Sequence, residues 1–413
     1  MGKTLEAEGA RVWPQEGWTR VPYWIYTDPD IYQRELDTFF YGPTWNYVAL
    51  DCEVPEPGSY KRSWIGERQV VVVRGKEGAI HVWENRCAHR GARVCWQNKG
   101  KVDSFTCPYH QWNFALDGKL QGVPLKRGVL GKGGMPADFD NSQHGLKALR
   151  VHAEGGSIWA SFDENAPSFA DYCGPDMHGY VQRLFKGRSL KLLGYNRQLI
   201  DSNWKIYIEN LKDPYHATLL HSFLITFGLW RADTQSESVP TEGGKHGIMI
   251  SRNVGKKTGS SGTGEIKRLK NALELADMDT VTPQREFDDG KVVGLSLFPS
   301  VVLHQQANTL GMRHIIPKGP GSFELCWTYY GYADEEPSLT RLRLRHANLY
   351  GPAGFVAMED GEVLVECQQG TSAYGHRQAV LEMGGRETEP QDHMVTEVLI
   401  RAFYKWYRQE MGL

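Results

Sequence analysis

The chain carries 413 residues, 40% of them apolar and 11% aromatic, with a formal net charge of −2 and an isoelectric point near 6.7. This composition excludes a fibre or a disordered chain, gives no basic footprint for nucleic acid, and at this length predicts two domains. No run approaches ~18 apolar residues, the opening MGKTLEAEGARVWPQ has no apolar signal core, and the seven cysteines are odd in number, so a cytoplasmic chain with reduced thiols and no membrane span is expected.

Residues 1–42 read as an N-terminal helical segment that packs on the later, larger domain. From 43 to 165 the pattern is short strands and turns. Val70–Val73, Ile80–Trp83 and Ser157–Phe162 are strand-like and Asp117-Gly118 is a hairpin turn, which predicts an antiparallel β domain. Inside it, Cys87-Ala88-His89 and Cys107-Pro108-Tyr109-His110 stand 17 residues apart, each with one thiolate and one imidazole donor. Two cysteines on one iron and two histidines on the other make a Rieske [2Fe–2S] centre, an electron relay. Gly91 after the first pair and Pro108 within the second suit two loops, each presenting one Cys and one His. A structural zinc site is the alternative; such sites commonly pair like with like, and the mixed order here argues against one. Cys52, Cys95, Cys173, Cys326 and Cys367 read as packed thiols.

From 166 to 413 the patterns are mixed. Helices are expected near Asn203–Leu211 and Tyr215–Phe223, strands at Gly294–Phe298, Val301–Ile316 and Phe323–Tyr330, and a closing amphipathic helix over Met394–Met411. Val254–Asp289 reads as a polar loop apart from a helix-like Ile266–Ala276. The densest cluster of donors is ENLKDPYHATLLH, with Asp213, His216 and His221 inside nine residues. At i and i+5 of a regular helix two histidines point about 140° apart and cannot share an ion. A π-bulge or a break would bring them together, and Pro214 supports a break. The plain alternative makes Asp213 an N-cap and the histidines ordinary polar positions. A metal reading needs a carboxylate from elsewhere, because two imidazoles and one carboxylate form the facial triad of non-haem Fe(II) oxygenases. In GPAGFVAMEDGE, Asp360 is the first choice, with Glu359 and Glu362 as close competitors.

Together CAHRG with CPYHQW, ENLKDPYHATLLH and GPAG…MED resemble, over nearly the whole chain, the large (α) subunit of Rieske non-haem iron aromatic-ring-hydroxylating oxygenases. The resemblance implies an α+β protein: an N-terminal antiparallel β Rieske [2Fe–2S] domain over 43–165, then a C-terminal helix-grip-like catalytic domain over 166–413 whose antiparallel sheet is wrapped by helices. By motif position it implies Cys87, His89, Cys107 and His110 as ligands of the [2Fe–2S] cluster, and His216, His221 and Asp360 as ligands of a mononuclear Fe(II) that uses O2. It implies Asp213 as the carboxylate that links a cluster histidine of one subunit to an iron-ligating histidine of its neighbour. Asn210 is read as a substrate contact, three residues before Asp213 in a loop one residue shorter than in the naphthalene enzymes.

The chain has no dinucleotide or P-loop motif. The stretch with Gly128, Gly131, Gly133 and Gly134 fails both patterns, because Pro136 and Lys126 fall where glycines are required. NADH is therefore expected to act through a partner, a flavin reductase and/or a ferredoxin. The resemblance further implies a trimer of these chains, with a small β subunit (α3β3) or without it (α3). An electron-transfer protein without oxygenase activity is the different-class alternative, but a carrier needs only the first 165 residues or so. Within the family, GERQVVVVRG, GGMPADF, LGYNRQ and DHMVTE resemble most the salicylate 5-hydroxylase, anthranilate and 2-halobenzoate dioxygenase, and terephthalate dioxygenase group, all acting on benzoates. A buried carboxylate needs a cation. Arg313, in the segment Leu303–His314, is the expected bidentate partner, an arginine in a structural ion pair being the alternative. Met394 stands where terephthalate enzymes hold a second arginine, which favours a monocarboxylate. The expected reaction is dihydroxylation of an ortho-substituted benzoate (salicylate, anthranilate or 2-halobenzoate); the alternatives are monooxygenation of the salicylate 5-hydroxylase type and terephthalate 1,2-dioxygenation.

Overall fold

Val70–Val73 sit in the strand Arg68–Arg74, and the unbroken valine run has a direct cause. Val71 and Val73 pack with Trp83, Phe105 and Phe114 on one face, while Val70 and Val72 join the larger core on the other. A strand buried on both faces carries a continuous apolar run and not an alternating one. The computed structural model describes residues 11–252, 273–287 and 291–413. The four-stranded antiparallel sheet runs in the order Ile80–Glu84, Arg68–Arg74, Ser59–Ile65, Lys99–Lys101. Two three-stranded sheets flank it: Phe105–Thr106, Asn113–Phe114 and Leu120–Gly122, then Arg150–Glu154, Ser157–Ser161 and Asn46–Leu50. The Asp117-Gly118 turn forms as expected, with Gly118 at φ +87°.

The second half is built on a seven-stranded antiparallel sheet, ordered Leu190–Ile200, Phe323–Tyr332, Thr309–Pro317, Val301–Gln306, Lys291–Leu297, His246–Arg252, Ser236–Thr241. The single strand expected over Val301–Ile316 is in fact a hairpin. Its turn, Ala307-Asn308, lacks the glycine that marks such turns; Ala307 takes φ +51°, and the Asn308 side chain donates to the Gln284 carbonyl (2.9 Å). The register pairs Val302 with Arg313 and His304 with Gly311. Leu303, Leu310 and Met312 point to one face, against the helix Phe169–Phe185. Ile315, Leu325 and Trp327 face the helices Trp204–Leu211 and Val398–Met411 on the other.

Three further expectations change. The helix anticipated over Tyr215–Phe223 is two short ones, Pro214–Ala217 and Ser222–Thr226. The closing helix starts at Val398 and not at Met394. Cys367 is exposed, although all seven cysteines are free. Of the helix-like Ile266–Ala276 only 273–276 are described, and they carry no helix; the rest lies outside the described residues. The N-terminal helix Pro29–Glu35 is tied to Trp204–Leu211 by the fully buried pair Lys205 Nζ–Glu35 Oε1 (2.8 Å). No helix of the described residues is long and apolar enough to cross a membrane.

Candidate metal centres and substrate cavity

The two Cys/His loops repeat one construction. The Cys87 amide donates to the Ala92 carbonyl (2.8 Å) and the Gly91 amide to the Cys87 carbonyl (3.0 Å); Cys107 with Trp112 (2.8 Å) and Gln111 with Cys107 (3.0 Å) do the same. Gly91 closes its turn at φ +74°, and Gln111 takes the equivalent position at φ +56°, a conformation its residue type does not advertise. Asn85 braces the first loop, its Oδ1 accepting the Val94 and Cys95 amides at 3.0 and 2.8 Å. Cys87 and Cys107 are buried in the domain core, whereas His89 is exposed and His110 half-buried. The two imidazole rings lie 4.5 Å apart, and His89 stacks on Trp112 at 4.7 Å. Among the described residues, no three of these four donors converge within 4.8 Å, as a tetrahedral zinc ion would require. Thiolates inside and imidazoles outside, spread wider than one ion, suit a two-iron cluster.

The second donor group is assembled around a helix break. Asn203 caps Trp204–Leu211 through its Oδ1 and the Lys205 amide (2.9 Å). Asp213 is an N-cap: its Oδ1 accepts the Tyr215 and His216 amides at 2.7 and 3.2 Å, which starts the turn at Pro214. Its other oxygen lies 3.4 Å from His216 Nδ1. After Ala217 the chain leaves the helix, and the His216 and His221 rings come to 5.4 Å of each other. The helix Ala357–Ala373 then delivers Asp360, with Oδ1 3.4 Å from His216 Nε2 and 3.6 Å from His221 Nε2. Of the competing acids, Glu362 is exposed and Glu359 stands behind a histidine, its Oε2 3.1 Å from His221 Nδ1. Asn210 leans over the group, donating to Asp360 Oδ1 (3.2 Å) with His216 Nε2 at 3.3 Å.

This donor set fits a divalent transition metal. His216, His221 and Asp360 offer atoms that all lie within 4.8 Å of one another, and each histidine turns Nδ1 to an outer carboxylate and Nε2 to the shared point. Burial opposes charge on His216, yet hydrogen bonds to Asp213 and Asp360 and their charges carry it up to about 10. Burial alone would raise Asp360; His216, His221 and Asn210 outweigh it and hold the carboxyl below its ordinary range. The pocket is electrostatically made for a cation, and a metal bound by His216, His221 and Asp360 would take the place of the proton held on His216.

Beside this group lies a cavity of about 130 Å³, lined by Leu224, Val293, Val302, His304, Arg313 and Met394 among others. A cavity of roughly 150 Å³ takes one benzene ring. Arg313 is half-buried, its guanidinium 4.3 Å over the Trp327 ring, with Nε donating to His304 Nδ1 (3.3 Å). No carboxylate among the described residues pairs with it, so the structural ion pair considered as its alternative role has no acid. Met394 is fully buried at the cavity wall, its sulfur 3.9 Å from Ser251 Oγ.

A β domain with paired Cys/His loops, joined to a helix-wrapped sheet that gathers two histidines and an aspartate, defines a Rieske oxygenase. Residues 44–131 match the Rieske [2Fe–2S] domain, and residues 178–413 match the ring-hydroxylating alpha subunit (catalytic domain). The chain belongs to the ring-hydroxylating Rieske oxygenases as a terminal-oxygenase large subunit. It is 47% identical to the salicylate 5-hydroxylase large oxygenase component of a Ralstonia species (97% of this chain, 96% of the relative). It is 42% identical to the anthranilate 1,2-dioxygenase large subunit of Burkholderia cepacia (97% and 95%), and 40% to a terephthalate 1,2-dioxygenase alpha subunit of a Comamonas species (95% and 96%). The fold matches a solved naphthalene 1,2-dioxygenase at a TM-score of 0.79 over 95% of this chain and 92% of that one, at 22% identity.

Proposed function

We propose that this subunit hydroxylates the ring of an aromatic monocarboxylate, an ortho-substituted benzoate, by dihydroxylation, with Arg313 gripping the carboxylate. The observation that carries the reading is an arginine with no acid partner among the described residues, inside a one-ring cavity beside a two-histidine, one-carboxylate group. Salicylate and anthranilate, named for the relatives at 47% and 42% identity, are ortho-substituted benzoates. Met394 closes the wall without offering a cation to a second carboxylate, which disfavours terephthalate.

In this reading Cys87, His89, Cys107 and His110 hold the [2Fe–2S] cluster, and His216, His221 and Asp360 hold the iron. When bound, the iron supplies the O2 chemistry through the positions the three ligands leave open. Asn210 orders Asp360 and His216 at the cavity mouth, Asp213 carries the electron route from a neighbouring subunit, and the apolar wall keeps water from the ring. Electrons originate from NADH through a flavin reductase and/or ferredoxin, the subunits form a trimer with or without a small β subunit, and the complex works in the cytoplasm.

The test is single turnover of the reduced protein with salicylate, anthranilate, 2-chlorobenzoate, benzoate and terephthalate, with products identified by mass. Arg313→Met should lower apparent affinity about 10- to 150-fold, the equivalent of a charge-assisted bond of ~1.5–3 kcal/mol, and Arg313→Lys should recover part of it. Turnover of terephthalate alone, or an unchanged kcat/KM in Arg313→Met, would overturn the reading. The likeness to salicylate 5-hydroxylase favours a second outcome, one oxygen atom inserted instead of two, which the product masses distinguish.

A further inference from the structure

Arg313 does not act alone in the cavity. His304 and Arg313 lie on adjacent strands and on the same face, and His304 sits opposite Gly311. Any Cβ at 311 would lie 2.6 Å from His304 Cε1, so the glycine is what leaves room for the imidazole. Arg313 Nε donates to His304 Nδ1 at 3.3 Å. An arginine has no acceptor atom, so Nδ1 must be the unprotonated nitrogen and the ring proton sits on Nε2. Burial, then the nearby Arg313 charge, pushes the imidazole well below its ordinary pKa, which keeps it in this singly protonated form. His304 is 4% exposed, lines the cavity, and its Nε2 has no hydrogen-bond partner among the described residues. A buried donor left unmade is costly, and a ligand acceptor relieves that cost.

We propose that His304 Nε2–H is the specificity-determining donor for the substituent next to the carboxylate, selecting a benzoate that carries an oxygen acceptor at the ortho carbon over one with an amino group or hydrogen there. The inference rests on the proposed benzoate reading, with the carboxylate on Arg313. Because the imidazole and guanidinium are bonded side by side, a carboxylate on the one brings its ortho neighbour to the other. A phenolic oxygen has lone pairs to accept the bond. An aniline nitrogen, its lone pair delocalised into the ring, accepts poorly, and a ring C–H cannot accept.

The experiment is equilibrium binding of salicylate, anthranilate and benzoate to the holoenzyme, for the native chain, His304→Leu, His304→Gln and Arg313→Met. Cluster absorbance and thermal melting report intact protein. The expected result is that the native chain prefers salicylate to benzoate and anthranilate, and that His304→Leu lowers salicylate affinity about tenfold while benzoate stays within about twofold. His304→Gln, which keeps an N–H donor, should restore part of the preference. If His304→Leu weakens salicylate and benzoate equally, His304 only steadies Arg313, and if it weakens neither, His304 contributes nothing to binding; in both cases the inference falls. Binding that depends on Arg313 in that case leaves the proposed function standing; a native chain that binds none of the three ligands overturns both.

Discussion

Glu359 shows how one side chain outside the donor triad governs the centre. Its carboxylate binds His221 Nδ1 and the Ser222 amide at 3.1 Å each, which fixes the ring with Nε2 toward Asp360. Such outer partners typically contribute 10- to 100-fold in metal affinity. Glu359→Ala should therefore retain the cluster's visible absorption and lose mononuclear iron on dialysis, measured as iron per chain. Lys212 makes a different prediction. Its ammonium is fully buried with no hydrogen-bond partner among the described residues, 5.5 Å from the Phe403 ring, and burial lowers it to about 7. Below about 7 the lysine is charged in folded and unfolded chains alike, and the folded state bears the whole cost of the buried charge. Between about 7 and the ordinary value of 10.5 only the unfolded chain binds the proton, so stability rises with pH across that window. Lys212→Met should raise the melting temperature most at or below pH 7, with the gain shrinking toward pH 10; a pH-independent difference would contradict the account.

At the scale of elements, the N-terminal helix Pro29–Glu35 is locked to Trp204–Leu211 by charge. Glu35 receives Lys205 Nζ at 2.8 Å, Trp204 Nε1 at 3.1 Å and the Tyr407 hydroxyl, so three elements meet on one buried carboxylate. Removing one member of a buried pair leaves an uncompensated charge and costs about 3–5 kcal/mol. Lys205→Met should show a loss of that order in urea unfolding followed by tryptophan emission, and Lys205→Met/Glu35→Gln should recover much of it because the remaining acceptor is neutral. The same elements set the site, since the Trp204 helix ends where Asp213 begins the turn that carries His216.

At the scale of the molecule, no hydrogen bond or ring contact among the described residues joins the cluster donors to the iron donors. Asp213 makes no hydrogen bond to His89 or His110 of its own chain, while those imidazoles lie at the domain surface. The proposed route between subunits makes a prediction. Asp213→Asn retains an N-cap of similar quality, so fold and metals should persist while turnover nearly stops. Co-expressed Cys107→Ser and His221→Ala chains, each inactive alone, should regain activity in mixed assemblies. Full turnover in Asp213→Asn, or no rescue in the mixture, would count against the route.

By itself the sequence determined what lies close along the chain. The Cys87/His89 and Cys107/His110 pairs were legible because each loop holds its own donors, and the i, i+5 misfit of His216 and His221 announced the break that the two short helices show. Apart from the family resemblance, Asp360 is separated from Glu359 and Glu362 only by the tertiary structure, because all three share one segment and the choice depends on which face of Ala357–Ala373 meets residues about 140 positions away. The hairpin at Ala307-Asn308 was hidden because its turn is held by a side-chain bond to Gln284 and not by glycine, and Gln111's positive φ by the same lack of a local marker. The Arg313–His304 bond depends on cross-strand register, and the isolation of Lys212 on burial among distant residues. Local geometry fixes donors a few residues apart; donors from separate elements acquire partners, charge states and vacant hydrogen bonds only when packing brings those elements together.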